Sequence, residues 1–216
     1  MKTEDLITSL SGDLAAPSTS RNWFSQFWFS WISCFCLFSI LTYLAAAFLP
    51  EEIHLPMDLK NPSFWLRNAF WFAFSVLSAL IAYQSSIPGK LKPVVTKLGI
   101  AAGVAALGIL FTESAPWQFL DELQALNIKQ GPCGLFILLT SLSASMWIFY
   151  ILRRAAPTQL GFTGAWTAAS IGSLSSFFMN LVCTHESSQH VFVWHLLPVF
   201  LLIAMGMQLG KSFLRW

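Results

Sequence analysis

Uncharged apolar runs of about twenty residues, separated by short polar segments, set the pattern of this chain. A helix rises about 1.5 Å per residue, so a run of about 20 apolar residues crosses the hydrocarbon core of a bilayer. The clearest run is 27–49, with no charge over 23 residues. A second covers 64–83, with Arg67 near enough to its start to snorkel outward. The third is short: 98–112 is uncharged, and 94–112 spans with Lys97 snorkelling. Runs at 132–152, 163–182 and 191–210 complete six expected transmembrane helices. The expected fold is an all-α membrane bundle of six spans, residues 27–216, preceded by an N-terminal segment, residues 1–26.

Two further segments have helical periodicity without the length to span. In 117–128, Phe119, Leu120, Leu123 and Leu126 share one face opposite Asp121, Glu122 and Gln124, and Pro116 suits the first helical position. That pattern predicts a helix lying on the outer membrane surface. Near the N-terminus, Leu6, Leu10 and Leu14 form a stripe beside Ile7, with Thr3 as N-cap and Glu4 and Asp5 in the first turn. So short a helix is marginal in water and gains most of its order by docking.

The lysines and arginines give the bundle a direction. With the N-terminus inside, nine basic residues fall on the cytoplasmic side: Lys2, Arg21, Lys90, Lys92, Lys97, Arg153, Arg154, Lys211 and Arg215. Three fall outside, namely Lys60, Arg67 and Lys129. The excess of basic residues inside predicts both termini in the cytoplasm. Removing the third span would leave Arg153 and Arg154 outside, so the same bias supports that short run. Seven acids (Glu51, Glu52, Asp58, Glu113, Asp121, Glu122, Glu186) and all four histidines (His54, His185, His190, His195) gather at or near the outer face. Ala45-Ala46-Ala47 offers a small-residue cleavage site, but the long first run and the acids Glu4 and Asp5 oppose a cleaved signal peptide.

Composition agrees. The chain is 56% hydrophobic and 10% charged, where a soluble domain carries roughly 25% charge. Twenty Phe and ten Trp suit lipid-facing grooves and interfacial anchors. A net charge of +2 gives no argument for direct nucleic-acid binding. Small residues recur four apart, at Gly99 and Gly103, at Gly206 and Gly210, and along Gly164, Ala168, Gly172 and Ser176, a spacing that lets helices approach closely.

Candidate chemistry is confined to cysteine and histidine. Cys34 and Cys36 sit inside the first run in a C-x-C spacing and read as core residues. Cys133 opens the fourth run and Cys183 closes the fifth, and the midpoint between them, residue 158, falls in the intervening turn near Pro157. Residues equidistant from the turn of a helical hairpin lie at similar depth, so both thiols belong at the outer rim. Three readings stay open: a structural disulfide, a redox-switched thiol pair, and a metal site. The candidate metal ligands are Cys133, Cys183, His185, Glu186 and His190, with His195 one turn further on; thiolate with imidazole favours Zn²⁺ and softer ions. No nucleotide loop, Ser-His-Asp arrangement or HExxH motif is present, and the span interiors are almost free of charge. No enzyme activity and no cofactor are expected. A membrane thiol-disulfide oxidoreductase would need a second exchanging thiol pair, and a small transporter would need ionisable residues deep in its spans.

The chain also resembles the bacterial membrane proteins known as negative regulator of sigma-F. The resemblance is carried by Met1-Lys2-Thr3-Glu4-Asp5-Leu6-Ile7 at the start and Phe64-Trp65-Leu66-Arg67 entering the second run. It continues through Cys133, Arg153-Arg154-Ala155-Ala156-Pro157-Thr158, Cys183 with Glu186 and Trp194, and the ending Phe213-Leu214-Arg215-Trp216. It implies an anti-sigma factor of the bacterial inner membrane that holds an extracytoplasmic-function sigma factor at the cytoplasmic face and releases it on an outside signal. By that resemblance Cys133 and Cys183 are the sensing pair. The segment bearing Lys2, Thr3, Glu4, Asp5, Leu6, Ile7 and Leu10 is the sigma contact. Thr184-His185 and His195 depart from the family pattern, in which Tyr is typical after the Trp.

Overall fold

The structure is a computed structural model that describes residues 20–48, 62–89, 91–113, 131–155, 157–183 and 190–215. The expected N-terminal helix and the expected surface helix at 117–128 lie outside these residues, as do His54, His185 and Glu186.

Six helices stand where the six apolar runs were expected. They are α1 (Ser20–Phe48), α2 (Pro62–Ser85), α3 (Pro93–Glu113), α4 (Gly131–Arg153), α5 (Leu160–Asn180) and α6 (Leu197–Phe213). α6 is entered through a π-helical turn, Val191–Leu196. Four segments are long and apolar enough to cross a membrane: Trp23–Ala47, Phe64–Ser85, Gly131–Arg153 and Val191–Phe213. Large apolar side chains such as Phe29, Ile40, Leu139, Trp147, Val104 and Leu201 face outward from these helices and from α3. An outward apolar surface of this extent suits lipid rather than water. The chain is a membrane protein.

α5 is the axis of the bundle. It packs on α1, α2, α4 and α6, and 15 of its 21 residues are buried. Its Ser and Thr residues, which would dilute a lipid-facing span, turn inward, and several of them bond to neighbouring helices. Trp31 Nε1 donates to Ser170 Oγ at 3.0 Å. Ser75 and Ser170 exchange hydroxyl-to-carbonyl bonds at 2.7 and 2.9 Å, and the Thr140 and Ser175 hydroxyls meet at 2.8 Å. Each such interhelical bond contributes about 0.6 kcal/mol in a membrane bundle. Together they fix rotation and register.

The small-residue stripes of α5 and α6 meet each other. A Cβ at Gly164 would overlap the Gly206 carbonyl oxygen, and one at Gly210 would overlap the Leu160 carbonyl oxygen. Backbones this close tolerate only glycine at the crossing. Gly99 and Gly103 of α3 lie against Ile81, Trp166 and Phe74 instead.

The two ends of the bundle differ. At one end the turn from α2 to α3 passes through Gly89, whose φ of 73° favours glycine, and Thr163 at the start of α5 donates to Ser85 at the end of α2 (2.9 Å). Phe24 and Phe27, in the first third of α1, pack on Tyr83 edge-on and tilted, with centroids 5.4 Å away. Both ends of the described chain therefore lie at this end, together with Lys92, Arg153, Arg154, Lys211 and Arg215. Twenty residues of α4 separate Arg153 from Cys133 at the opposite end, about 30 Å at 1.5 Å per residue, the thickness of a hydrocarbon core. Arg67 differs from expectation. It is buried, 8% exposed, inside the bundle at the cysteine end rather than extended outward.

Candidate functional site

Three chain segments converge at the end away from the arginine pair. α4 presents Cys133 from its first turn. Beyond the end of α5 the chain makes one more turn, in which the Cys183 amide donates to the Met179 carbonyl at 2.9 Å. The π-helical turn carries His195, with His190 immediately before it. In an α-helix, residues five apart point roughly 140° away from each other. In a π-helix the hydrogen bonds close at i→i+5, so residues five apart lie nearly above one another. The widened turn therefore puts both imidazoles on the side facing the thiols. Gly134 makes room for it: a Cβ there would stand 3.2 Å from the Trp194 carbonyl oxygen and 3.1 Å from its ring. On the other side, the Ser176 hydroxyl donates to the His195 carbonyl at 3.4 Å.

The four side chains form a closed group. Cys133 Sγ and Cys183 Sγ are 3.8 Å apart, Cys183 Sγ is 3.2 Å from His190 Nε2, and the two imidazole centroids are 5.3 Å apart at 73°. All four candidate ligand atoms lie within 4.8 Å of one another. Burial is nearly complete: Cys133 is 7%, Cys183 3%, His190 3% and His195 0% exposed. Both ring nitrogens of His195 are buried, and the imidazole faces the Cys183 thiol; a polar ring in a protein interior is expensive unless something uses its nitrogens. The Cys183 thiol is drawn well below the usual range, first by the hydrogen bond from Cys133 and then, against burial, by the one from His190.

Cys133, Cys183 and His190, three of the expected metal ligands, are thus brought together. His185 and Glu186 lie outside the described residues, as do Lys2, Thr3, Glu4, Asp5, Leu6, Ile7 and Leu10. His195 takes a fourth place that helical spacing alone would not assign to it. Its visible signal is a histidine five residues after another at the start of an apolar run. A second polar contact that spacing did not reveal stands behind the cluster, where Asn180 Nδ2 donates to Asn68 Oδ1 at 3.0 Å. Cys34 is buried in the core and Cys36 faces outward from α1, so those two thiols do not share a site.

Comparison with known proteins adds an independent line. The family model described as negative regulator of sigma F matches residues 12–216. The chain is 26% identical over 223 residues to the probable anti-sigma-F factor NrsF of Azospira oryzae, covering 100% of both chains. No solved structure matches it.

Proposed function

The chain belongs to the negative regulator of sigma F family, and from that premise we propose that it spans a bacterial inner membrane six times, holds an extracytoplasmic-function sigma factor at the cytoplasmic face, and releases it when an outside signal reaches Cys133 and Cys183. Membership makes it a regulatory anti-sigma factor with a sigma factor as partner. The observation that carries the rest is the polarity of the bundle. Basic residues and both described chain ends gather at one end, while a buried cysteine–histidine cluster closes the other about 30 Å away. The positive-inside rule puts the basic end in the cytoplasm, which leaves the thiols on the outer, oxidising side.

α3 and α5 cross the membrane with the other four in this reading. α5 keeps its hydroxyls inside the bundle, and α3 rests its glycines on α2 and α5. The sigma contact is the N-terminal segment, through Lys2, Thr3, Glu4, Asp5, Leu6, Ile7 and Leu10. Its apolar stripe suits a groove on the partner, and its acids oppose the basic surface a DNA-binding protein uses on phosphate. The protein acts by binding and not by catalysis. A thiol oxidoreductase would pass electrons to a second thiol pair, and Cys34 and Cys36 point to different sides of α1.

Deletion of residues 2–12 tests the assignment. The full chain, solubilised from membranes, is expected to co-purify a sigma factor, and the deletion variant to lose it while still inserting in the membrane. Equal recovery with both would overturn the contact.

A further inference from the structure

We propose that Cys133, Cys183, His190 and His195 together form a four-coordinate site for a zinc-class divalent ion at the outer end of the bundle. The proposal rests on the reading of Cys133 and Cys183 as the outward sensing pair, and it gives that pair two further ligands and a chemical occupant.

The first argument is dimensional. With Zn–S bonds of about 2.3 Å, the edge between two sulfurs of a tetrahedral zinc site is about 3.8 Å. The Cys133 and Cys183 sulfurs are 3.8 Å apart. A sulfur–nitrogen edge comes to about 3.6 Å with Zn–N near 2.0 to 2.1 Å, and Cys183 Sγ to His190 Nε2 is 3.2 Å, so a slight opening of that edge seats an ion. No other described group of three or more Cys, His, Asp or Glu side chains is arranged to share an ion.

The second argument is the state of His195. Its imidazole is fully buried, 0% exposed, and the group that faces its ring nitrogens is the Cys183 thiol. A polar ring is retained in such a place when something at the site uses its lone pair, and a metal ion would. The third is the backbone. π-helical turns are rare, recur at functional sites, and here bring two histidines five residues apart to one side. Two thiolates and two neutral imidazoles around a divalent ion sum to zero charge, as a buried site requires. Binding displaces to the outer compartment the protons that the thiols carry, with no change of oxidation state.

An ion there would tie together the start of α4, the turn after α5 and the entry to α6. Removing it, or oxidising the thiols to a disulfide with loss of two electrons to an outside oxidant, would free both histidines and loosen the entry to α6.

The full chain purified in detergent under reducing conditions tests this by metal analysis after a chelator wash, and by Co²⁺ titration. The expected result is one zinc per chain, and for Co²⁺ the intense visible bands of tetrahedral geometry with a thiolate charge-transfer band. His195→Ala and Cys133→Ser are expected to weaken binding by about 100-fold or more. His195→Cys, which keeps four ligands, is expected to hold zinc and to strengthen the charge-transfer band, which separates lost ligation from failed folding. Zinc no higher than in a Cys133→Ser/Cys183→Ser double variant, or a six-coordinate Co²⁺ spectrum, would overturn the site. Sigma-factor recovery from the same preparations separates the two readings: a metal-free protein that still retains its partner overturns this inference alone.

Discussion

Replacing Gly206 by Ala should destabilise the bundle far more than a single methyl group suggests. The added Cβ would overlap the Ala168 side chain and lie 2.7 Å from the Gly164 carbonyl oxygen, both on α5. Unstrained heavy-atom contacts sit at about 3.5 to 4.0 Å, so α6 must back away from α5 by roughly 1 Å. Overpacking of this kind costs about 1 to 3 kcal/mol. For a chain of this size that is a fall in melting temperature of about 2 to 12 °C. Gly108 of α3 is the control, because a Cβ there meets nothing within 4 Å. Gly108→Ala should be neutral or gain up to about 1 kcal/mol from helix propensity. Thermal unfolding in detergent reads both. A Gly206→Ala protein that melts with the wild type would refute the close α5–α6 crossing, and with it the seating of His195 against Cys183.

Two other expectations follow from the same structure. Asn180→Leu removes the donor to Asn68 Oδ1 and leaves a buried carbonyl oxygen without its partner, at a cost of about 1 kcal/mol; unchanged melting would show that bond to be idle. Alkaline phosphatase fused after residue 156 should stay inactive and after residue 189 become active, since the first junction adjoins the arginine pair and the second the cysteine cluster. The reverse pattern would invert the proposed orientation.

Most of the architecture was legible because a bilayer restricts what a chain can do. Backbone groups in hydrocarbon must bond internally, so an uncharged run of sufficient length becomes a helix whatever its neighbours are. Helix ends were less legible. α1 begins at Ser20 rather than 27, because Phe24 and Phe27 have Tyr83 to pack on, a contact fixed by tertiary structure. The meeting of Cys133 and Cys183 followed from counting outward from the turn at 158. His195 did not, because its place depends on a π-helical turn, and that turn depends on the bare face of Gly134 and the hydroxyl of Ser176. Arg67 misled for a similar reason. Proximity to the start of a run suggests a side chain reaching for water, and the bundle buries it.

Intact spheroplasts treated with a membrane-impermeant thiol oxidant, followed by solubilisation and recovery of the chain with whatever remains bound, join the two faces of the molecule in one experiment. The account predicts that the sigma factor co-purifies before treatment, is released from the wild type after it, and stays with a Cys133→Ser/Cys183→Ser double variant. A sigma factor that remains on the oxidised wild type, or leaves both proteins equally, would contradict it.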